Sequence, residues 1–324
     1  MKRGAHFFVI SIMLGPFGAC SNAEMPADDA QMLLGTAQIH FASEDEGRAF
    51  LTTEDDYIRA QGPADRLLRF GDENASYIEV ADAARGTWND EQTQRVTGAI
   101  AYVHKRFEAL GIALPFPAEI LLVRSSGAEE GYIGGYTRAN GIVFPDVVFE
   151  DSDDYLTFFV AHELFHVASR FEPAMRDPVY AIFGFHPCAD RHSPPDLDLI
   201  EVTNPDAFHF SHCIEVSAEE DTFLAVVVMS ANEISPNAQS PLESLDVNLL
   251  AVSPDGEALR REDGGLRFYD LREVTGYFEQ IGANTDYIIH PEEISAENFA
   301  LLVMNADDLP NPELLVAMRE AITP

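Results

Sequence analysis

The run Phe158-Phe159-Val160-Ala161-His162-Glu163-Leu164-Phe165-His166-Val167-Ala168 limits what this chain can become more than any other stretch. Nothing from Asp153 to about Phe171 breaks a helix, Pro173 ends it, and Asp151 or Ser152 can cap its start. Residues four apart share a helix face. His162 and His166 therefore project side by side, at the spacing with which two imidazoles grip one metal ion. Phe158, Phe159, Val160, Leu164, Phe165 and Val167 point in nearly every direction around them, so the helix is expected to be buried. Two imidazoles and a carboxylate inside an apolar helix are costly unless they are paired or bind metal. Zinc meets that cost: it takes the two neutral imidazoles and leaves Glu163, next to His162, facing the open coordination position as a base. The competing reading is a core helix whose histidines only satisfy hydrogen bonds.

The chain of 324 residues allows one large domain or two modest ones, and 46% apolar residues suffice for a sizeable core. Its net charge of −35 comes from 20 basic against 55 acidic residues, and its only lysines are Lys2 and Lys105. Such a surface repels nucleic acid and anionic lipid, so neither is an expected partner. The acids are spread along the chain, which reads as a solvated surface. Residues 1–20 have the layout of an export signal: Lys2 and Arg3, an apolar run from Phe7 to Phe17, then small residues. Phe17-Gly18-Ala19-Cys20 resembles a bacterial lipobox, in which the cysteine is lipidated, and ordinary cleavage nearby is the rival. The expectation is an exported protein of the periplasm or cell envelope, touching the membrane only through such an anchor. Residues 21–40 read as a polar tether and 41–324 as a single domain.

Within that domain, Glu46–Ala60 and Ala64–Phe70 read as short acidic helices split by Gly62-Pro63, and Asp90–Leu110 as a firmer one ended by Gly111. Glu119–Arg124 reads as a strand. Asn140-Gly141 between β-prone runs signals a hairpin with a type I′ turn. Glu172 to His212 is rich in Pro and Asp. It holds His186, His192, His209 and His212 at no recognised ligand spacing, so no second metal site is expected there. If lipid consumes Cys20, Cys188 and Cys213 remain as a pair, expected in an exported protein to form a disulfide. Thr222–Met229, Val247–Val252 and Gly265–Leu271 read as strands. Near the C-terminus, His290-Pro291-Glu292-Glu293 opens a helix on which Glu293 and Glu297 share a face. A solvated acidic helix start is the plain alternative for this stretch.

The His162–His166 helix resembles that of the zincin metallopeptidases, and the Glu293–Glu297 pair resembles the second half of the gluzincin pattern within them. That resemblance implies an α+β zincin-like domain with an N-terminal helical segment and a long β and loop insertion between the two zinc-binding helices. It implies zinc held by His162, His166 and Glu293, with Glu297, where aspartate is usual, orienting a ligating histidine. A peptide or protein substrate would lie along an edge strand just before the metal helix, where the hairpin around Asn140-Gly141 stands; an ordinary hairpin with glycines for close packing is the alternative. Tyr287, His290 and Tyr136 are the candidate donors to the oxyanion formed on attack. A metzincin-like alternative places the third ligand at Glu172, but Ser169 stands where that pattern has a glycine at the bend. The alternative of another class is a catalytically silent exported lipoprotein that binds a partner or cell-envelope component, against which intact Glu163 argues.

Overall fold

Short β-branched and leucine-rich runs in the first half of the chain build a sheet against which the metal-motif helix packs. The computed structural model describes residues 32–231 and 244–323. Strands β1 (Leu33–Leu34), β2 (Ala37–Phe41), β3 (Glu119–Arg124), β4 (Tyr136–Arg138) and β5 (Gly141–Phe144) lie in the order β1-β2-β3-β5-β4. β2, β3 and β5 run parallel, and β4 returns antiparallel at the edge. The expected tether is therefore shorter than residues 21–40, because β2 pairs with β3 and buries Ile39. The export signal, Cys20 and the tether up to residue 31 lie outside the described residues.

The hairpin forms, but one residue earlier than Asn140-Gly141 suggests. Arg138 pairs with Gly141, Ala139 and Asn140 make the turn, and the positive φ of 45° falls on Ala139. Gly141 serves packing instead: a Cβ there would stand 2.5 Å from the Phe50 ring.

Helices α1 (Glu44–Leu51), α2 (Asp56–Ala60), α3 (Pro63–Phe70) and α4 (Tyr77–Ala84) precede α5 (Asp90–Leu110). The helix expected over Glu46–Ala60 breaks in two, because Asp55 accepts from the Ile58 amide and starts a new turn. α5 has the expected bounds, with an Asn89–Gln92 capping box and a left-handed Gly111 at its end.

The metal-motif helix α6 spans Asp153–Phe171 and is capped by Ser152, whose side chain accepts from the Tyr155 amide. It is buried continuously from Leu156 to Ser169, between α5, the sheet and the later helix α10. Gly135, just before β4, allows this approach, since a Cβ there would overlap the Phe159 ring at 2.2 Å.

After α7 (Arg176–Ala181) the chain enters a second sheet with α8 (Pro195–Asp198) inserted. β6 (Phe185–Pro187), β7 (His212–Ala218), β8 (Asp221–Ser230), β9 (Asp246–Val252) and β10 (Phe268–Asp270) form an antiparallel meander in the order β10-β9-β8-β7-β6. Cys188 and Cys213 are disulfide-bonded across its β6 edge, with Cα atoms 5.8 Å apart. Then follow α9 (Tyr277–Ile281), α10 (Pro291–Met304) and α11 (Pro312–Ile322).

The architecture is thus mixed α+β, with a sheet and loop insertion between α6 and α10. One apolar cluster runs from Ile39 and Ile120 through Val160, Phe165 and Phe299 to Val216, Val227 and Leu249, joining both sheets to the helices. Phe165 and Phe299 are both fully buried with ring centroids 5.6 Å apart, and Phe107 of α5 lies 5.8 Å from Phe299. Burying each such ring contributes about 1.5–3 kcal/mol, so this aromatic contact fixes α10 against α6. Among the described residues no helix is long and apolar enough to cross a membrane.

Candidate metal centre

The i, i+4 spacing on α6 turns both imidazole Nε2 atoms to one point, 3.0 Å apart. Glu293, in the first turn of α10 and 131 residues beyond His162, brings Oε2 to the same point. That oxygen lies 3.1 Å from His162 Nε2 and 3.4 Å from His166 Nε2. Ligand atoms at about 2.0–2.1 Å from a tetrahedral ion stand about 3.3 Å apart, so this triangle has the dimensions of a metal face. His162, His166 and Glu293 form a buried group that could hold a metal ion. The solvated reading of the α10 start fails, since Glu292 and Glu293 are 2% and 1% exposed.

The outer nitrogens of both imidazoles also face carboxylates. His166 Nδ1 is 2.9 Å from Glu292 Oε1, and His162 Nδ1 is 3.6 Å from Glu297 Oε1. Glu297 takes the predicted place but stands beyond hydrogen-bond reach, and His162 Nδ1 has no hydrogen-bond partner. Glu292, to which the sequence assigned no role, is the better-made partner. Ser169 Oγ and Tyr180 Oη both donate to it. Burial works to raise its carboxyl, yet His166, Arg176 and Ser169 hold it down at about 2. An anionic Glu292 keeps the proton on His166 Nδ1 and leaves Nε2 as the ligand atom. Glu292→Ala is therefore expected to weaken metal affinity about 10–100-fold, read by titration against a competing chelator; unchanged affinity would remove Glu292 from this role.

Five carboxyl groups, those of Glu163, Asp206, Glu292, Glu293 and Glu297, gather around the two imidazoles, with Arg170 and Arg176 as the nearby guanidinium groups. This excess of negative charge suits a cation at their centre, whether a metal ion or a protonated imidazole. Burial opposes the charged form of His166, but Glu293, Asp206 and Glu292 outweigh it and push its pKa well up. Burial likewise works against ionised Glu293, and the two imidazoles overcome it and hold the carboxyl well down.

Glu163 is 2% exposed, and its Oε2 has no hydrogen-bond partner. Its carboxyl is pushed well up, first by burial and next by Asp206. Glu163, His166 and Asp206 present ligand atoms within 4.8 Å of one another. An unsatisfied carboxylate oxygen beside a metal face is placed to take a proton.

The candidate donors separate. The Tyr287 ring lies 6.2 Å from the His162 ring. Burial raises its hydroxyl pKa well above the usual range, with Glu293, Asp206, Glu163 and Glu297 adding to the effect, so the hydroxyl keeps its proton. His290 does not serve as donor, because both its nitrogens are engaged. Nδ1 accepts from the Glu292 amide at 3.0 Å as the α10 N-cap, and Nε2–H donates to the His209 carbonyl at 3.0 Å. Burial lowers its pKa to about 4, consistent with a neutral cap. Tyr136 is also excluded: it is buried and donates to Glu129 at 3.0 Å. Glu172 is an exposed C-cap of α6 outside the ligand group, so the metzincin-like placement is not met.

Two further residues gave no sequence signal. Asn204 Nδ2 donates to Glu293 Oε1 at 2.5 Å and so turns Oε2 toward the imidazoles. Asp206 approaches Glu163 from the same loop. Comparison with known proteins supplies no relative: no protein-family model matches the chain, and no curated protein or solved structure does so either.

Proposed function

We propose that the protein is a zinc-dependent peptidase of zincin, gluzincin-type organisation, exported to the periplasm or cell envelope. The observation that carries this reading is the convergence of His162 Nε2, His166 Nε2 and Glu293 Oε2 within 3.0–3.4 Å from two separate helices. A bound zinc ion would supply Lewis acidity and lower the pKa of a water toward ~7. His162, His166 and Glu293 would hold it, and the mixed imidazole and carboxylate donor set suits zinc. Glu163 takes the proton of the attacking water through its unsatisfied oxygen and returns it to the leaving amine. Tyr287 donates its hydroxyl proton toward the oxygen that gains charge during attack. Thr137 of β4, beside α6, is the edge residue with which an extended peptide would pair once its backbone groups are free. The Cys188–Cys213 bond supports an oxidising compartment and hence export.

The test pairs metal analysis with hydrolysis. Purified protein is expected to carry one zinc per chain and to cleave members of a broad peptide library. Full zinc loading with no cleavage, including by the strap variants described next, would favour the silent binding protein. No zinc at all would remove the metal centre.

A further inference from the structure

The backbone edge that would receive a substrate is already occupied by the chain itself. Thr137 N–H donates to Asp206 Oδ1 at 2.6 Å, and Thr137 Oγ1 donates to the same oxygen at 2.7 Å. The Thr137 carbonyl accepts from Arg170 Nη2 at 3.3 Å, and Arg170 also reaches the Asp206 carbonyl at 3.4 Å. Both outward backbone groups at the centre of β4 are thus taken by side chains. Two residues earlier on the same loop, Asn204 is hydrogen-bonded to Glu293. The span between them brings a carboxylate to Glu163 and His166.

Both ends of this span are anchored. At one end, the Thr203 amide donates to Asp65 Oδ1 at 2.8 Å, and Arg69 Nη2 donates to the Thr203 carbonyl at 2.6 Å. Asp65 and Arg69 lie on α3 and are themselves buried and paired, with Arg69 also on Glu130. At the other end, the Phe208 ring lies 5.9 Å from Tyr57, and His290 holds the His209 carbonyl. Asn204, Pro205 and Ala207 between them are buried. The N-terminal helices α2 and α3 form the wall to which this span is tied.

We propose that Thr203–Phe208 is an autoinhibitory strap, which lies along the β4 edge in place of a peptide and must withdraw before a substrate strand can pair with Thr137. The proposal rests on the peptidase reading for its consequence but not for its geometry. Backbone pairing at an edge strand needs both the N–H and the C=O of the receiving residue. A peptide can therefore dock only after Asp206 and Arg170 release Thr137. The strap also places the Asp206 carboxylate within 4.8 Å of ligand atoms of Glu163 and His166, so the closed strap crowds the space beside the base. Regulation would consist of strap opening, with the anchors on α3 and His290 setting how often it occurs.

The experiment uses the full chain loaded with zinc and has two readouts. One is the rate at which a chelator in excess removes the metal, and the other is peptide hydrolysis. Asp206→Ala removes both hydrogen bonds to Thr137, whereas Asp206→Asn keeps an acceptor oxygen for them. Asp206→Ala is expected to speed metal removal about 10-fold or more and to raise hydrolysis by a similar factor, with Asp206→Asn between it and wild type. Amide hydrogen exchange at Thr137 should accelerate in the same order. Unfolding of Asp206→Ala would leave Asp206→Asn to be read in the same way. Faster metal removal and exchange without hydrolysis in any variant would uphold the strap and sink the peptidase. Unchanged removal and exchange rates in folded variants, or hydrolysis that falls in Asp206→Ala, would overturn the strap.

Discussion

Glu293→Ala is expected to lose the metal more completely than any other single carboxylate substitution at the site. Glu293 supplies the only carboxylate oxygen of the three-atom face, and it stands 3.1 and 3.4 Å from the two imidazole nitrogens. A catalytic zinc normally has three protein ligands, and deleting one should cost more than the 10–100-fold typical of an outer partner. Glu292→Ala should rank second, because Glu292 is hydrogen-bonded to His166 at 2.9 Å. Glu297→Ala should rank third, since its carboxylate is 3.6 Å from His162 Nδ1. Glu172→Ala should be neutral, its side chain being exposed at the end of α6. Zinc content and dissociation constants of the four variants check the order. Loss of metal in Glu172→Ala with retention in Glu293→Ala would show the gluzincin-type assignment to be wrong.

Glu163→Gln is expected to keep zinc and lose at least about 10²-fold in hydrolysis, the usual loss for a general base. The substitution preserves volume in a site that is 2% exposed, and it removes the proton acceptor at the oxygen that has no hydrogen-bond partner. Retained zinc with a rate within about threefold of wild type would transfer the proton-accepting role away from Glu163. Asp206 would be the first alternative, since its carboxylate oxygen lies within 4.8 Å of a Glu163 carboxylate oxygen and a His166 ring nitrogen. Comparing Glu163→Gln in the wild-type and Asp206→Ala backgrounds separates the two, because a strap variant lacking Asp206 can only use Glu163.

Local sequence determined a good part of this protein. The bounds of α6, a cap at Asp151 or Ser152 and the i, i+4 histidines follow from spacing and from the apolar residues around them, and the structure selects Ser152. Pro291 at the first position of α10 and the four-residue step from Glu293 to Glu297 were legible for the same reason. So were α5 and the strands β8, β9 and β10, whereas β6 and β7 emerged only with the structure. In each of these elements the signal lies within a few residues, where helix or strand period and capping chemistry act; the pairing of Cys188 with Cys213 came instead from their being the cysteines left beside Cys20.

Tertiary structure decided what periodicity cannot report. Glu292 and Glu293 are adjacent, both acidic and both buried, and no local rule says which meets the inner and which the outer nitrogen of an imidazole. That choice comes from how α10 sits on α6, which the Phe165–Phe299 contact fixes at 5.6 Å. The same docking turns His290 into a helix cap, while Tyr136 points into the core toward Glu129. Asn204 and Asp206 lie on a loop with no period, 38 to 44 residues beyond the α6 histidines (204 − 166 and 206 − 162). Only long-range anchoring to α3 and to His290 brings them to the site. Periodicity says which residues turn inward, but only the packing of whole elements sets what each inward group meets.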